Sequence, residues 1–277
     1  MKIMIQAWRI TPTQNIHLQI AASSLDEVTR QLPEGYYSTF RTFDGGTRVL
    51  GLTAHLKRLY EPVSAPEVDD LFLRRQLFAL LERFRPEEAR VRVMMTKQGQ
   101  VYLATEPLKP LPREVYEKGV RVETAALRRK SPHLKSTAFI TASASERKHI
   151  AREGIFEALL IKDGHILEGM TSNFFYVAGR DAFPPSIGTA RDDILFGVTR
   201  QTIIEIARGS GLAVEYQPLK LDQLHAVSEA FLTSSSRGIV PVVQIDQVMI
   251  GQGKPGPITK KLSAAYEAHV IEKAERI

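Results

Sequence analysis

The sequence predicts two domains of mixed α/β (α+β) class, and three observations carry that expectation. Its 277 residues suffice for two cores of ordinary size. Short apolar runs broken at Gly and Asp-Gly turns alternate with stretches of helical periodicity along the chain. A cluster of prolines, Pro107, Pro110 and Pro112, stands near the middle and marks a linker. The expected division is a smaller N-terminal α/β domain over 1–113 and a larger C-terminal domain over 114–277.

In the first part, "GYYSTFRTF" and "TRVLGL" flank Asp44-Gly45-Gly46, a hairpin signal. A helix-like "AHLKRLYEPV" follows. In "VDDLFLRRQLFALLERFR", Leu71, Leu73, Leu77, Leu80 and Leu81 recur at helical spacing, and Pro86 marks the end. "ARVRVMMT" and "QVYLAT" form a second hairpin through Lys97 to Gly99.

The second part opens on the strand "KGVRVETAAL" and a helix "TASASERKHIAREG" that Gly154 stops. "EALLIK" and "HILEGM" read as a hairpin turning at Asp163-Gly164. "GVTRQTIIEIARGSG" is an amphipathic helix with Thr199 as N-cap and Gly209 or Gly211 past its end. The strands "AVEYQPL", "EAFLTSSS" and "IVPVVQI" precede a last helix from Thr259.

Composition excludes several function classes. With no cysteine there is no disulfide framework, thiolate metal site or thiol nucleophile, which accords with a reducing cytoplasm. The seven histidines include no pair at i,i+4 spacing, and no metal site is expected. No run approaches eighteen apolar residues and the start lacks a long apolar signal region, so the expectation is a cytoplasmic protein with no membrane contact. The charge of +6 raises nucleic acid as a partner, but the basic residues are dispersed apart from "LRRKSPHLK" at 127–135, whose bland reading is a solvated loop.

"GQGKPG" at 251–256 matches G-x-G-x-x-G but lacks the βαβ context of a dinucleotide site, since one helix remains before the chain ends. Three other elements suit a small phosphorylated ligand. They are the helix start "GVTR", the hydroxyl-rich strand end "TSSS" at 233–236, and Arg58. Each has a structural alternative: a helix cap, a strand-end turn and a surface arginine. Glu168 is the odd residue in "EALLIKDGHILEGMTSNFFYV", because a carboxylate in a segment suited to a buried sheet needs a cationic or protonated partner.

The order "AHLKRL", "SPHLKST", "GIFEALLIKDGHILEGMTSNFFYV", "LFGVTRQTIIEIA", "EAFLTSSSRGIVPVVQIDQVMIGQGKPGPIT" resembles the class IV (fold type IV) pyridoxal-phosphate enzymes, among them branched-chain and D-amino acid aminotransferases and aminodeoxychorismate lyase. The resemblance covers roughly residues 35 to 270. It implies a two-domain architecture with pyridoxal 5'-phosphate between the domains. It implies that Lys135, thirty-three residues before Glu168, forms the Schiff base with the cofactor, with Lys130 the nearest competitor. Glu168 would face the protonated pyridine nitrogen, which answers the question its burial raises. Arg58 would bind the phosphate with the backbone of Val198 and Thr199 and the hydroxyl of Ser235. Lys135 would need an amine pKa well below about 10.4, as desolvation and nearby cations provide.

For substrate, the resemblance points to Tyr37, Arg41, Arg92, Ser236 and Arg237. Ser38 in "YSTFR" stands where the family commonly carries Glu, and Phe139 where many members carry Tyr. The expected activity is amino-group transfer between an amino acid, branched-chain first, and a 2-oxo acid, by a homodimer. The alternative enzyme is aminodeoxychorismate lyase, with Arg237 as the extra cation. The alternative from another class is a basic nucleic-acid-binding module.

Overall fold

The computed structural model describes residues 5–178 and 186–277. These fall into two compact units. The first comprises the chain up to Lys109 together with Leu134–Ala142 and Val270–Ile277, and the second comprises Pro110–His133 and Ser143–His269. A single cut after residue 113 was expected. The boundary instead falls inside the proline cluster, and two later segments return to the first unit. Leu134–Ala142 returns because its backbone pairs with a strand of that unit, and it takes Lys135 out of the C-terminal unit where it was expected.

The first unit is built on an antiparallel seven-stranded sheet. Its strands are β1 (Gln6–Ile10), β2 (Asn15–Leu18), β3 (Gly35–Phe43), β4 (Arg48–Val49), β5 (Ala89–Thr96), β6 (Val101–Pro107) and the C-terminal β17 (Glu275–Arg276), in the order β17-β4-β3-β5-β6-β1-β2. The β3–β4 turn has Asp44, Gly45 and Gly46 all at positive φ, the conformation that the Asp-Gly-Gly sequence tolerates. Helix α1 (Leu25–Arg30) is capped by Ser24, whose hydroxyl accepts from the Glu27 amide. Helices α2 (Leu52–Tyr60) and α3 (Asp70–Leu81) pack on the sheet through Leu52, Leu56, Leu59, Leu73, Leu77, Leu80 and Leu81. Leu71, expected in the same period, lies 59% exposed, one position off the buried stripe. Truncating Leu73 to Ala would cost about 2–5 kcal/mol through lost burial and a residual cavity.

The second unit holds a ten-stranded mixed sheet. Its strands are β7 (Val120–Ala125), β8 (Glu157–Lys162), β9 (His165–Gly169), β10 (Asn173–Val177), β11 (Ser186–Gly188), β12 (Ala213–Glu215), β13 (Leu219–Lys220), β14 (Glu229–Ser234), β15 (Gly238–Ile245) and β16 (Val248–Met249). The order is β12-β11-β10-β14-β15-β7-β8-β9-β13, with β16 on β15. Strand β7 runs parallel to both neighbours, and the connection to β8 carries the short helices α5 (Ala138–Ala142) and α6 (Ala144–Arg152). Helix α4 (Arg113–Lys118) precedes β7, α7 (Val198–Gly209) follows β11, and α8 (Pro257–Lys273) closes the chain before β17. The β8–β9 turn places Asp163 and Gly164 at positive φ, as their sequence requires. Strands β14 and β15 bury Ala230, Leu232, Val240 and Val242 in one core with Phe174 and Leu159.

Candidate active site

In the first unit, backbone pairing fixes Lys135. The Tyr37 amide donates to the Lys135 carbonyl (2.9 Å), the Thr137 amide donates to the Gly35 carbonyl (2.9 Å), and the Gly35 amide donates to Thr137 Oγ1 (3.0 Å). The segment thus lies along the part of β3 that β4 leaves uncovered. Lys135 Nζ stands 4.9 Å from the centroid of the Tyr37 ring, a cation–π contact. The next residue on β3, Ser38, points to the opposite face of the sheet, toward α2. There His55 and Arg58, three positions apart, share one helix face. Arg58 donates from one terminal nitrogen to Ser38 Oγ (2.8 Å), and Ser38 Oγ also meets His55 Nδ1 at 2.8 Å. Burial, then the charges of Arg58 and Lys135, hold the His55 imidazole well below its ordinary pKa, so it is neutral.

In the second unit, Glu168 on β9 is 1% exposed. Its Oε1 accepts from Arg129 Nε (2.7 Å); its Oε2 accepts from Asn173 Nδ2 (3.2 Å) and from the Leu195 amide (3.1 Å). Arg129 also donates to the Met170 carbonyl (2.8 Å), and Asn173 Nδ2 donates to the Leu195 carbonyl (2.7 Å). The cationic partner that Glu168 requires is therefore present in the chain itself, as Arg129 from the basic cluster read as a solvated loop. Six positions before Lys135, Arg129 was one of three adjacent basic residues, and nothing in the sequence singled out which turns inward. Asn173 ties Glu168 to the approach of α7. Gly197 then abuts it, since a Cβ there would lie 2.2 Å from Asn173 Oδ1. At φ −68° the glycine is required for space and not for backbone freedom.

Helix α7 starts at Val198 with Gly197 as N-cap and no side chain bonded to its first amides. Thr199, expected as the N-cap, sits inside the first turn, because the helix begins two residues earlier at a glycine that Asn173 crowds. Its hydroxyl lies 3.2 Å from that of Ser235, at the end of β14. The uncapped amides of Val198 and Thr199, the helix dipole and two hydroxyls make a ready anion site.

Each of the three arginines expected at the substrate has an acidic partner in the chain. Arg41 pairs with Glu88 and lies over the Phe43 ring. Arg92, 4% exposed, donates to Asp26 (2.7 Å), the Leu25 carbonyl, Thr29 and Thr39, and lies 4.6 Å from the Tyr37 ring centroid. Arg237 donates to Glu157 (2.8 Å), Thr171 (2.7 Å) and Ser234 (3.1 Å), while its carbonyl accepts from the Tyr116 hydroxyl (3.0 Å). Glu157 is itself buried. Arg237 therefore clasps the turn bearing Ser235 and Ser236 to the end of β9. Tyr37 stays beside Lys135, and Phe139 is buried in α5.

"GQGKPG" leads into α8, whose first amides are already taken: Glu229 accepts from Ile258 N (3.0 Å), Thr259 N (2.7 Å) and Thr259 Oγ1 (2.7 Å). A carboxylate of the chain thus fills the place a pyrophosphate would need.

The sequence profile of the family described as Amino-transferase class IV matches residues 35–245. The chain belongs to this family. It is similar to a Methanocaldococcus jannaschii protein provisionally named a branched-chain-amino-acid aminotransferase (29% identity, 84% of this chain and 86% of the relative). It is also similar to D-alanine aminotransferase of Bacillus licheniformis (26% identity, 92% and 94%). Its fold matches that of a Thermotoga maritima protein solved under the provisional name of branched-chain amino acid aminotransferase (TM-score 0.77, 26% identity, 96% of each chain). The protein is a transaminase of fold type IV, and the cofactor of the class is pyridoxal 5'-phosphate. The residues present fit that group: an uncapped helix start with two hydroxyls for a phosphate, a fixed buried carboxylate for a ring nitrogen, and an amine whose charge is felt by His55 on the arginine-bearing helix. Among the described residues no cluster of three or more His, Asp or Glu could hold a metal, and no helix is long and apolar enough to cross a membrane.

Proposed function

We propose that this aminotransferase holds pyridoxal phosphate through Lys135 and Arg58 of the first unit and Glu168, Val198, Thr199 and Ser235 of the second, and that branched-chain amino acids and their 2-oxo acids are its first substrates. The observation that carries the reading is the tie from Glu168 through Asn173 to the uncapped start of α7, which makes one rigid frame of a carboxylate and an anion site. When bound, the cofactor supplies an electron sink for the electrons left at the substrate Cα. Lys135 would anchor the aldehyde and move the proton, the Glu168 carboxylate would favour a protonated ring nitrogen, and Arg58 with the α7 amides would grip the phosphate in every state. Tyr37 would line the substrate side of Lys135, and Ser236 would be a further substrate contact. Arg41 and Arg92 are spent on Glu88 and Asp26, so we assign neither to the substrate carboxylate.

Branched-chain substrates are supported by the names of the M. jannaschii relative and the T. maritima structure; the B. licheniformis relative keeps D-alanine in the test. The Arg237–Glu157 pair favours transamination over aminodeoxychorismate lyase action, because the extra cation that reaction needs is already neutralised. We also propose a homodimer in a reducing cytoplasm, with which the absence of cysteine accords. Borohydride reduction followed by peptide mapping should place the cofactor on Lys135; an adduct on Lys130 would overturn the assignment. A branched-chain L-amino acid alone should convert the bound cofactor to its pyridoxamine form, and a 2-oxo acid should restore it. Pyruvate release from aminodeoxychorismate with no response to amino donors would replace this reading with the lyase.

A further inference from the structure

We propose that Ser38 and His55 are positioning residues for Arg58, a neutral relay that aims its guanidinium at a phosphate without cancelling its charge. The inference rests on the reading of Arg58 as the phosphate ligand. Ser38 Oγ lies 2.8 Å from an Arg58 terminal nitrogen and 2.8 Å from His55 Nδ1, and Ser38 and His55 are 0% and 1% exposed. A guanidinium only donates, so Ser38 accepts from Arg58. In this relay the Ser38 proton goes to His55 Nδ1, which sets the tautomer that carries its proton on Nε2. That Nε2 is buried and has no hydrogen-bond partner among the described residues. A buried polar atom left unsatisfied is not retained for stability alone.

The chemistry of the three groups explains the arrangement. A carboxylate at position 38, which the family commonly carries there, would pair its charge with that of Arg58. A hydroxyl lends one lone pair, restricts the long side chain of Arg58, and leaves its full positive charge for an incoming dianion. Burial, with the charges of Arg58 and Lys135, keeps His55 neutral, so the relay adds no further charge to a cluster that is already cationic. The phosphate preference of the site is thereby set by residues that never touch the ligand.

The test compares pyridoxal phosphate with pyridoxal, which lacks the phosphate, in equilibrium titrations of the cofactor-free protein followed by absorbance. Arg58→Ala provides the reference loss of phosphate preference. Ser38→Ala should weaken pyridoxal phosphate binding about tenfold, about 1.4 kcal/mol, with pyridoxal binding unchanged; Ser38→Thr should restore the affinity. Ser38→Cys, nearly the same shape with a weaker hydrogen-bonding group, should also lose preference and serves if the alanine variant is unstable. Equal loss for both ligands, or no rescue by threonine, would overturn the inference and leave a packing role. If Arg58→Ala itself kept the wild-type preference, the assignment of Arg58 as phosphate ligand would fail first.

Discussion

Replacing Glu168 by Gln tests the frame of the second unit directly. The three groups found at the carboxylate are all donors: Arg129 Nε–H, Asn173 Nδ2–H and the Leu195 amide. A glutamine brings one oxygen and one NH2, so either orientation sets a donor against a donor. The less harmful orientation keeps Asn173 and Leu195 and loses Arg129, whose side chain is 4% exposed. A hydrogen bond to a charged group contributes about 1.5–3 kcal/mol, and breaking a buried pair from one side costs about 3–5 kcal/mol because the remaining charge is uncompensated. Glu168→Gln should therefore cost about 3–5 kcal/mol in the cofactor-free protein, and Arg129→Met a similar amount. In the double variant neither charge remains, so the losses should fall short of their sum by at least about 2 kcal/mol. Equilibrium urea denaturation of the four proteins, followed by circular dichroism, measures that coupling. Additivity within about 0.5 kcal/mol would refute the argument that these two groups neutralise one another.

Three further outcomes are expected. Because His55 is depressed in the folded state, the unfolded chain binds its proton more readily below about pH 6.5. Stability contributed by neutral His55 is thus complete above that pH and falls as the pH drops, by up to about 1.4 kcal/mol per unit, and His55→Phe should flatten this slope in pH-dependent denaturation. Gly197→Ala has no backbone reason to fail, yet its methyl would meet Asn173 Oδ1, so melting temperature and pyridoxal phosphate affinity should fall together; loss of neither would show that Asn173 gives way freely. Arg237→Met should leave Glu157 buried without its cation and destabilise by about 3–5 kcal/mol, whereas Arg237→Met with Glu157→Gln should recover part of that; an unchanged denaturation midpoint in the single variant would return Arg237 to the pool of substrate ligands.

Much of this molecule is legible in the sequence, and the reason differs by element. Turns announced by Asp-Gly were readable because positive φ selects residue type locally, as at Asp163 and Asp44. The leucine period of α3 was readable because one helix face is buried. The Glu168 problem was visible, since a carboxylate amid apolar strand residues demands a partner, but its solution depended on which member of "RRK" folds inward, a tertiary matter. The same limit applies to Arg92 and Arg237: one was noticed in a strand and the other in the loop that follows "TSSS", yet Asp26 and Glu157, which engage them, lie sixty-six and eighty residues away in the chain. Asn173 and His55 each sat inside a quoted motif without a role, because their importance lies in whom they join.

The pairing of Lys135–Thr137 with Gly35–Tyr37 has a consequence beyond the placement of an amine. Strand β4 reaches only Thr42 and Phe43, so without that segment the start of β3 would present open amides and carbonyls along "GYY", an aromatic stretch with no charge. Such an edge templates association with other chains. The lysine-bearing segment therefore also works as a seal, and a proline at Thr137, which removes the amide bonded to Gly35, would harm the protein twice. It would displace the amine proposed to hold the cofactor and leave a sticky border on the sheet, so even a variant relieved of any need for chemistry would still be selected to keep this stretch of backbone in place.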